Sequence, residues 1–448
     1  MRIAPSVSGS LAAFVAGASW DDLGADVRHQ AKRSLLNFIG CALGAADEPA
    51  VAAAVRVLGS MGGHPEATLI GRSERLDILS AASINAIASN LHDFDDTHLA
   101  TVIHPMAPVA PVVLALAEQG RASGADILLA LALGMEVACR IGNGVSPGHY
   151  ARGWHITATC GVFGAAAAAA KLRRLSPATA AHALGIAASQ SAGLVENLTT
   201  AAKNVGVGNA ARNGLLAVLM AEAGYDAAPQ AIEGPLGWAR ASGDVPDVER
   251  MLAGLGSEWE VLANAFKLYP SGVVLHAVAD ACLALRSRHA LDPSAIACVS
   301  VMGDALLLAR GDRVVRNERD ARVSIQHTVA AALLTGEAGL AAYAPEMATD
   351  PAIAALRSRV GPVLDATLPK GAARVDIILV DGRVLSETVL NARGSLSAPL
   401  TDDEIVDKAR ALAERSRIGT RIDTIIDGVW GLDSLGEASR FCRSLAAP

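Results

Sequence analysis

The sequence predicts a mainly α fold, a large all-helical domain joined to a smaller α+β domain, and three observations carry that prediction. Hydrophobic residues make up 52% of the 448 residues but aromatic ones only 3%, so the core has to be built by helices approaching closely through small side chains. From residue 8 to about 262, apolar residues recur at helical spacing between turn signals. After Pro270 the pattern changes, and RVDIILVDGRVLSETVL reads as two alternating runs joined at Asp381-Gly382, a hairpin signal.

The elements follow in chain order. MRIAPSVSGSLAAFVAGASWDD has one arginine and a short apolar run, only loosely like a signal peptide, and flows into DDLGADVRHQAKRSLLNFIGCALG; it reads as the first core helix. GGHPE, RASGAD and LSPATA punctuate the helical half, with Ser176 or Thr179 available as a cap. The AAAAAA run at 165–170 reads as tight helix packing. AIACVSVMGDALLLA is a strand candidate, and TDDEIVDKARALAERS from Thr401 returns to helix with an acidic first turn. The predicted domains are 1–265, rejoined by 396–448, and an α+β lid at 266–395.

Composition excludes several classes of partner. A net charge of −7 with no Lys/Arg run offers no footprint for nucleic acid. Apolar stretches such as DILLALALGMEVACRIG are broken well before the ~18 residues a membrane span needs. Six cysteines without a C-x-x-C pair point to buried free thiols and a reducing cytoplasm rather than to zinc or disulfides. There is no G-x-S-x-G elbow, no cysteine beside a histidine motif and no nucleotide fingerprint in context.

Four polar islands stand out. NLHDFDDTHLATVIHP packs His92, Asp93, Asp95, Asp96, Thr97, His98 and His104 into sixteen positions. A His-Asp pair on a helix can ligate a metal when further ligands come from elsewhere, as in HD-type metal phosphohydrolases. The plainer reading makes Asp95 or Asp96 a helix cap and leaves His92 and His98 solvated; Asp93, Thr97 and His104 remain site candidates. GHYARGWHITATCGVFGAAAAAAK places Tyr150, Arg152 and His155 before a helix of small residues, where the helix dipole favours a neutral imidazole. LVENLTTAAKNVGVGNAARNG sets Lys203 in a glycine-spaced loop suited to a carboxylate. ANAFKLYPSGVVLHAVADA carries Lys267, Tyr269, Ser271 and His276 at the predicted domain junction, a preferred location for small-molecule pockets. Lys203 and Lys267 are two of only six lysines, against 32 arginines, and lysine is the cation whose pKa burial can tune.

Taken in order, DFDDTH followed by HP, GWHITATCGVFGAAAAAAKL, KNVGVGNAARNGLLAVLMAEAGYDA, IEGPLGW and KLYPSGVVLHAVADA resemble the MmgE/PrpD family over nearly the whole chain. The resemblance implies a homodimer with its site between a helical and an α+β domain and no cofactor or metal. It also implies that Asp93, Thr97, His104, His155, Lys203 and Lys267 line that site, with Tyr269 and Ser271 close by. Two positions depart from the family pattern. Gly272 stands where many members have cysteine or histidine, and His327, in RVSIQHTVAAALLTGE, stands where an aromatic is more usual.

The activities of that family, 2-methylcitrate dehydration, cis-aconitate decarboxylation and iminodisuccinate epimerisation, all make or consume negative charge beside a carboxylate. Such chemistry needs a base, cations for the carboxylates and an acid. Lys203 and Lys267 supply cations, His155 or Lys267 a base, and Asp93, His104 or Tyr269 an acid or orienting group, with Thr97, Tyr150, Ser271, His276 and His327 as substrate contacts. The expected function is a cofactor-free lyase on a small di- or tricarboxylate, most like 2-methylcitrate dehydratase. The alternatives are an epimerase or decarboxylase of the same family, an HD-type metal hydrolase, or a non-catalytic dimeric binding protein.

Overall fold

The computed structural model describes residues 6–448. The chain divides into two compact units: one comprises the chain up to Leu91, Asp95–Ala265 and Thr401–Pro448, the other His92–Phe94 and Phe266–Leu400.

The first unit is a pack of helices, chiefly Val7–Gly17, Ala25–Ala45, Ile78–Asn90, Met106–Gln119, Gly124–Val145, Ile156–Leu172, Pro177–Ala188 and Ala201–Glu222. Polar side chains start several of them by accepting otherwise orphaned backbone N–H groups: Ser6 from Gly9, Asp77 from Leu79 and Ser80, Ser123 in a capping box with Asp126, and Ser176 from Thr179. Small residues set how near the helices come. A Cβ on Gly164 would lie 2.6 Å from the Gly134 carbonyl oxygen, and one on Gly134 would lie 2.8 Å from the Gly164 carbonyl oxygen, so the Gly124–Val145 and Ile156–Leu172 helices meet backbone to backbone.

The unit is not all-helical, as the sequence led us to expect. It also holds β1 (Ala67–Thr68) paired antiparallel with β2 (Arg75–Leu76), and β3 (Asp96–His98) beside β4 (Asn264–Phe266). β3 is wholly buried. An extended backbone sends Asp96 and His98 to one side and Thr97 to the other, so each polar side chain finds a different partner, which one helical face does not allow.

The second unit is built on a four-stranded sheet of order β6-β5-β7-β8, from β5 (Ile296–Gly303), β6 (Val360–Leu364), β7 (Ala373–Leu379) and β8 (Val384–Val389). β5 runs parallel to β6 and antiparallel to β7, and β7 and β8 form the hairpin around Asp381-Gly382. Gly382 takes φ 86° there, a conformation that suits glycine. Along β7, Ala373, Val375, Ile377 and Leu379 are buried alternately and pack with Val278, Cys282 and Leu285 of the His276–His289 helix and Val329 and Leu333 of Ile325–Thr335. The run AIACVSVMGDALLLA is strand only as far as Gly303. Asp304 accepts the Leu307 N–H at 2.7 Å and turns the rest into the Ala305–Gly311 helix.

The first unit resumes at Thr401, whose capping box with Glu404 opens the Asp402–Ala413 helix. That helix seats on Ala25–Ala45, where a Cβ on Gly44 would come within 2.6 Å of Leu412 Cδ2. All six cysteines are free; five are buried, and Cys298 on β5 is exposed. Among the described residues no single helix is long and apolar enough to cross a membrane.

The Gly134–Gly164 contact makes a direct prediction. Gly164→Ala forces a methyl group against a backbone carbonyl that cannot rotate away, so it should lower stability by ~1–3 kcal/mol, as overpacking does, read as a lower urea midpoint with an unchanged slope.

Candidate active site

In the first unit, three segments carry the polar side chains. His155 is the N-cap of the Ile156–Leu172 helix, only 4% exposed, and its backbone N–H is held by the Gly193 carbonyl at 3.1 Å. Lys203, also buried, is not in a loop but in the first turn of the Ala201–Glu222 helix. The glycines after it are helical and serve packing: a Cβ on Gly208 would lie 2.8 Å from the Ser83 carbonyl oxygen, and one on Gly206 would meet Ala158 and Gly193. Lys203 therefore sits at the positive end of that helix.

The third segment, Leu91–Pro105, runs between the Ile78–Asn90 and Met106–Gln119 helices. His104 is anchored there by its backbone N–H, which donates to Thr157 Oγ1 at 3.1 Å in the turn that His155 caps. Its Nδ1 lies 2.8 Å from the Asp96 carbonyl oxygen, 3.2 Å from Thr97 Oγ1 and 3.3 Å from Asp95 Oδ1. A carbonyl can only accept, so Nδ1 carries a proton. Asn90 Nδ2 donates to Asp95 Oδ2 at 2.7 Å, and Asn204, next to Lys203, donates from Nδ2 to the Asn90 carbonyl oxygen at 2.9 Å and to Asn90 Oδ1 at 3.1 Å. His104 and the first turns that carry His155 and Lys203 are thereby tied together. Tyr150, in the short Gly148–Ala151 helix, is partly buried against the helical core.

Several expectations for this segment are corrected. Asp95 and Asp96 cap no helix: the preceding helix ends at Asn90, and the next is preceded by Pro105. His98 is not solvated but fully buried, with Nδ1 2.7 Å from Thr101 Oγ1 and Nε2 2.9 Å from Glu260 Oε2. His98 holds the Glu260 carboxyl below its ordinary range. His92 is buried too, and it and Asp93 follow the helix rather than lying on it.

In the second unit, Lys267 Nζ lies 3.1 Å from Asp93 Oδ2 and donates to the Asp93 carbonyl oxygen at 2.9 Å. Asp93 has φ 54°, a left-handed conformation costing ~1–3 kcal/mol in a non-glycine residue. Those two contacts, with Arg322 Nη1 donating to the His92 carbonyl oxygen at 2.8 Å, hold the short strip in place. Tyr269 donates to Asp280 Oδ1 at 2.5 Å. Burial and then the Asp280 charge push its phenol above the ordinary range, so it is a reluctant acid. His276 begins its helix, buried edge-on to Tyr269 at 5.3 Å between ring centroids. Ser271 is fully buried, and the Tyr343 hydroxyl lies 3.2 Å from Thr328 Oγ1. Beside Ser271, a Cβ on Gly272 would have nothing nearer than 3.9 Å. His327 belongs to the core of this unit: it is fully buried, Nε2 donates to the Ala342 carbonyl oxygen at 2.8 Å, and burial lowers its pKa to about 4, so it is neutral.

The sequence reading missed Asn90, Asp95 and Asn204 as supports. The signal was present in the asparagines that open NLHDFDD and follow Lys203, but only the folded chain joins them. The segment also contains Asp96, whose carboxyl is pushed up to about 7 by burial and then by the Asp95 charge, with Asn264 Nδ2 donating to it at 2.6 Å.

A carboxyl whose folded pKa lies above the unfolded one stabilises the fold below about pH 4 and loses that contribution as pH rises through about 7. Asp96→Asn cannot ionise. The melting temperature of the wild type should therefore fall more than that of the variant between about pH 5 and about pH 8, as calorimetry at the two pH values would read.

Comparison with known proteins matches residues 9–251 to the MmgE/PrpD N-terminal domain and residues 269–432 to the MmgE/PrpD C-terminal domain. The chain is 29% identical over 472 residues to a cis-aconitate decarboxylase of Aspergillus terreus, covering 99% of this chain and 96% of the relative. Against the cis-aconitate decarboxylase of Mus musculus it is 27% identical over 465 residues (99% and 94% covered), and against that of Homo sapiens 27% over 459 residues (99% and 95%).

Proposed function

Because the chain belongs to the MmgE/PrpD family, we propose that it is a cofactor-independent lyase that handles negative charge at a carbon next to a carboxylate in a small di- or tricarboxylate. The observation that carries this reading is the buried His104, a proton fixed on its Nδ1, in a segment tied to the helix start that bears the buried Lys203. Lys203 and Lys267 hold carboxylates. His104 and His155 exchange protons with the reacting carbon or its leaving group. Asp93 keeps Lys267 in place.

Decarboxylation of a cis-aconitate-type acid is the first form of this reaction, since the curated relatives carry that activity in their names. In that form the C–CO₂ bond breaks, its electron pair delocalises over the adjacent alkene and carboxylate, and a protonated imidazole delivers a proton to the carbanion. The lysines neutralise the carboxylates that remain. Dehydration of a 2-methylcitrate-type acid is the second form. There a base removes the proton and an acid protonates the departing hydroxyl, so the same imidazoles are used in the opposite order. The protein acts as a homodimer in this reading.

The test is direct. Incubation with cis-aconitate, 2-methylcitrate and citrate, followed by proton NMR and CO₂ release, separates the two forms; consumption of none of them refutes the proposal. His104→Ala, His155→Ala and Lys203→Ala should each reduce turnover by at least ~10²-fold, the lower end of what a general acid or base supplies, while the circular dichroism spectrum stays that of the wild type.

A further inference from the structure

Asp95 is 1% exposed, and its two carboxylate oxygens are treated differently. Oδ2 accepts from Asn90, whereas Oδ1 accepts no hydrogen bond among the described residues and lies 3.3 Å from His104 Nδ1. A buried carboxylate oxygen without a donor is costly and persists where some other state of the site uses it. Here the neighbouring proton is the one on His104 Nδ1, which in the neutral ring already goes to the Asp96 carbonyl. When Nε2 takes up a second proton the ring becomes a cation, and the carboxylate beside it stabilises that cation with no rearrangement of the fold.

We infer that Asp95 is the positioning residue of His104, reinforcing the Nδ1–H form that the Asp96 carbonyl selects and supporting the protonated ring, and that Asn90 and Asn204 fix Asp95 in turn. This inference rests on the proposed reaction for its effect on turnover but on geometry alone for its effect on the ring. The amide chain has a direction. Asn204 donates to Asn90 Oδ1, which leaves the Asn90 amide nitrogen facing Asp95. An asparagine at position 95 must then offer its carbonyl to Asn90 and its own NH₂ to His104 Nδ1. A donor facing Nδ1 favours the ring tautomer with its proton on Nε2, the opposite of the native one.

Asp95→Asn is the test, read in two ways on the full-length protein. Nitrogen-15 NMR of the histidine rings, with His104 identified by its loss in His104→Gln, should report the Nδ1–H form in the wild type and a shift toward the Nε2–H form in the variant. With cis-aconitate as the probe, kcat should fall by ~10²-fold or more with KM changed by less than about threefold, because the loss is in proton transfer rather than in binding. A purely packing role would leave the tautomer alone. If the tautomer shifts but the wild type turns over no carboxylate, the positioning role stands and the proposed reaction fails. If the His104 spectrum is unchanged, the inference is overturned, whatever the activity. Should Asp95→Asn fail to fold, Asn90→Ser, which frees the carboxylate from its tether, should move the same resonances, and an unmoved spectrum there overturns the inference equally.

Discussion

The site depends on one contact, the close parallel packing of the Ile156–Leu172 and Ala201–Glu222 helices. A Cβ on Gly206 would touch Ala158, and eight residues further on one on Gly214 would lie 2.5 Å from Ala165 Cβ and 2.6 Å from the Val162 carbonyl oxygen. Matching steps along both helices mean that they run in the same direction, so their positive ends emerge side by side. One end is capped by His155 and the other carries Lys203 in its first turn. Helix dipoles attract anions at that end, so glycine and alanine, which have no chemistry of their own, decide where the two positive ends meet.

The Leu91–Pro105 segment is the answer to a second constraint. It brings a run of acids and imidazoles into an interior made mostly of alanine, leucine and valine, where each buried polar group needs a partner. The fold meets that demand unevenly. His98 and Asp96 are fastened to Glu260 and Asn264 from later in the chain and serve as structural posts. His104 is fastened through Nδ1 by what surrounds Asp96. Which of these groups becomes a post is invisible in HDFDDTH and is set by residues more than 160 positions away.

What could be read from the sequence follows from the range of the interactions concerned. The hairpin at Asp381-Gly382, the capping box at Thr401 and the helix start after His155 depend on residues within a few positions, and all are where pattern and capping chemistry put them. The burial of His98, the helical state of Lys203 and the strand at Asp96–His98 depend on distant partners, and for these local signals pointed elsewhere. The glycines after Lys203 looked like a loop because spacing alone does not separate a flexible glycine from one that admits a neighbouring helix. The scarcity of lysine is not a specific signal. Lys408 is as buried as Lys203, yet it donates to Asn37 inside the helical unit and has no evident part in chemistry.

The returning Thr401–Pro448 segment has a consequence for how the chain is made. Its backbone closes on residues synthesised hundreds of positions earlier: Gly71 donates to the Leu445 carbonyl, Gly124 to Leu435, and Ala438 to Ala122. The helical unit therefore emerges from the ribosome lacking part of its wall, while Phe266–Leu400, almost contiguous, can collapse as soon as it is translated. Such long loop closures are slow. A nascent chain paused before residue 401 would expose the apolar groove along Ala25–Ala45 that Leu412 later fills, and this is the stage at which a chaperone would have most to protect.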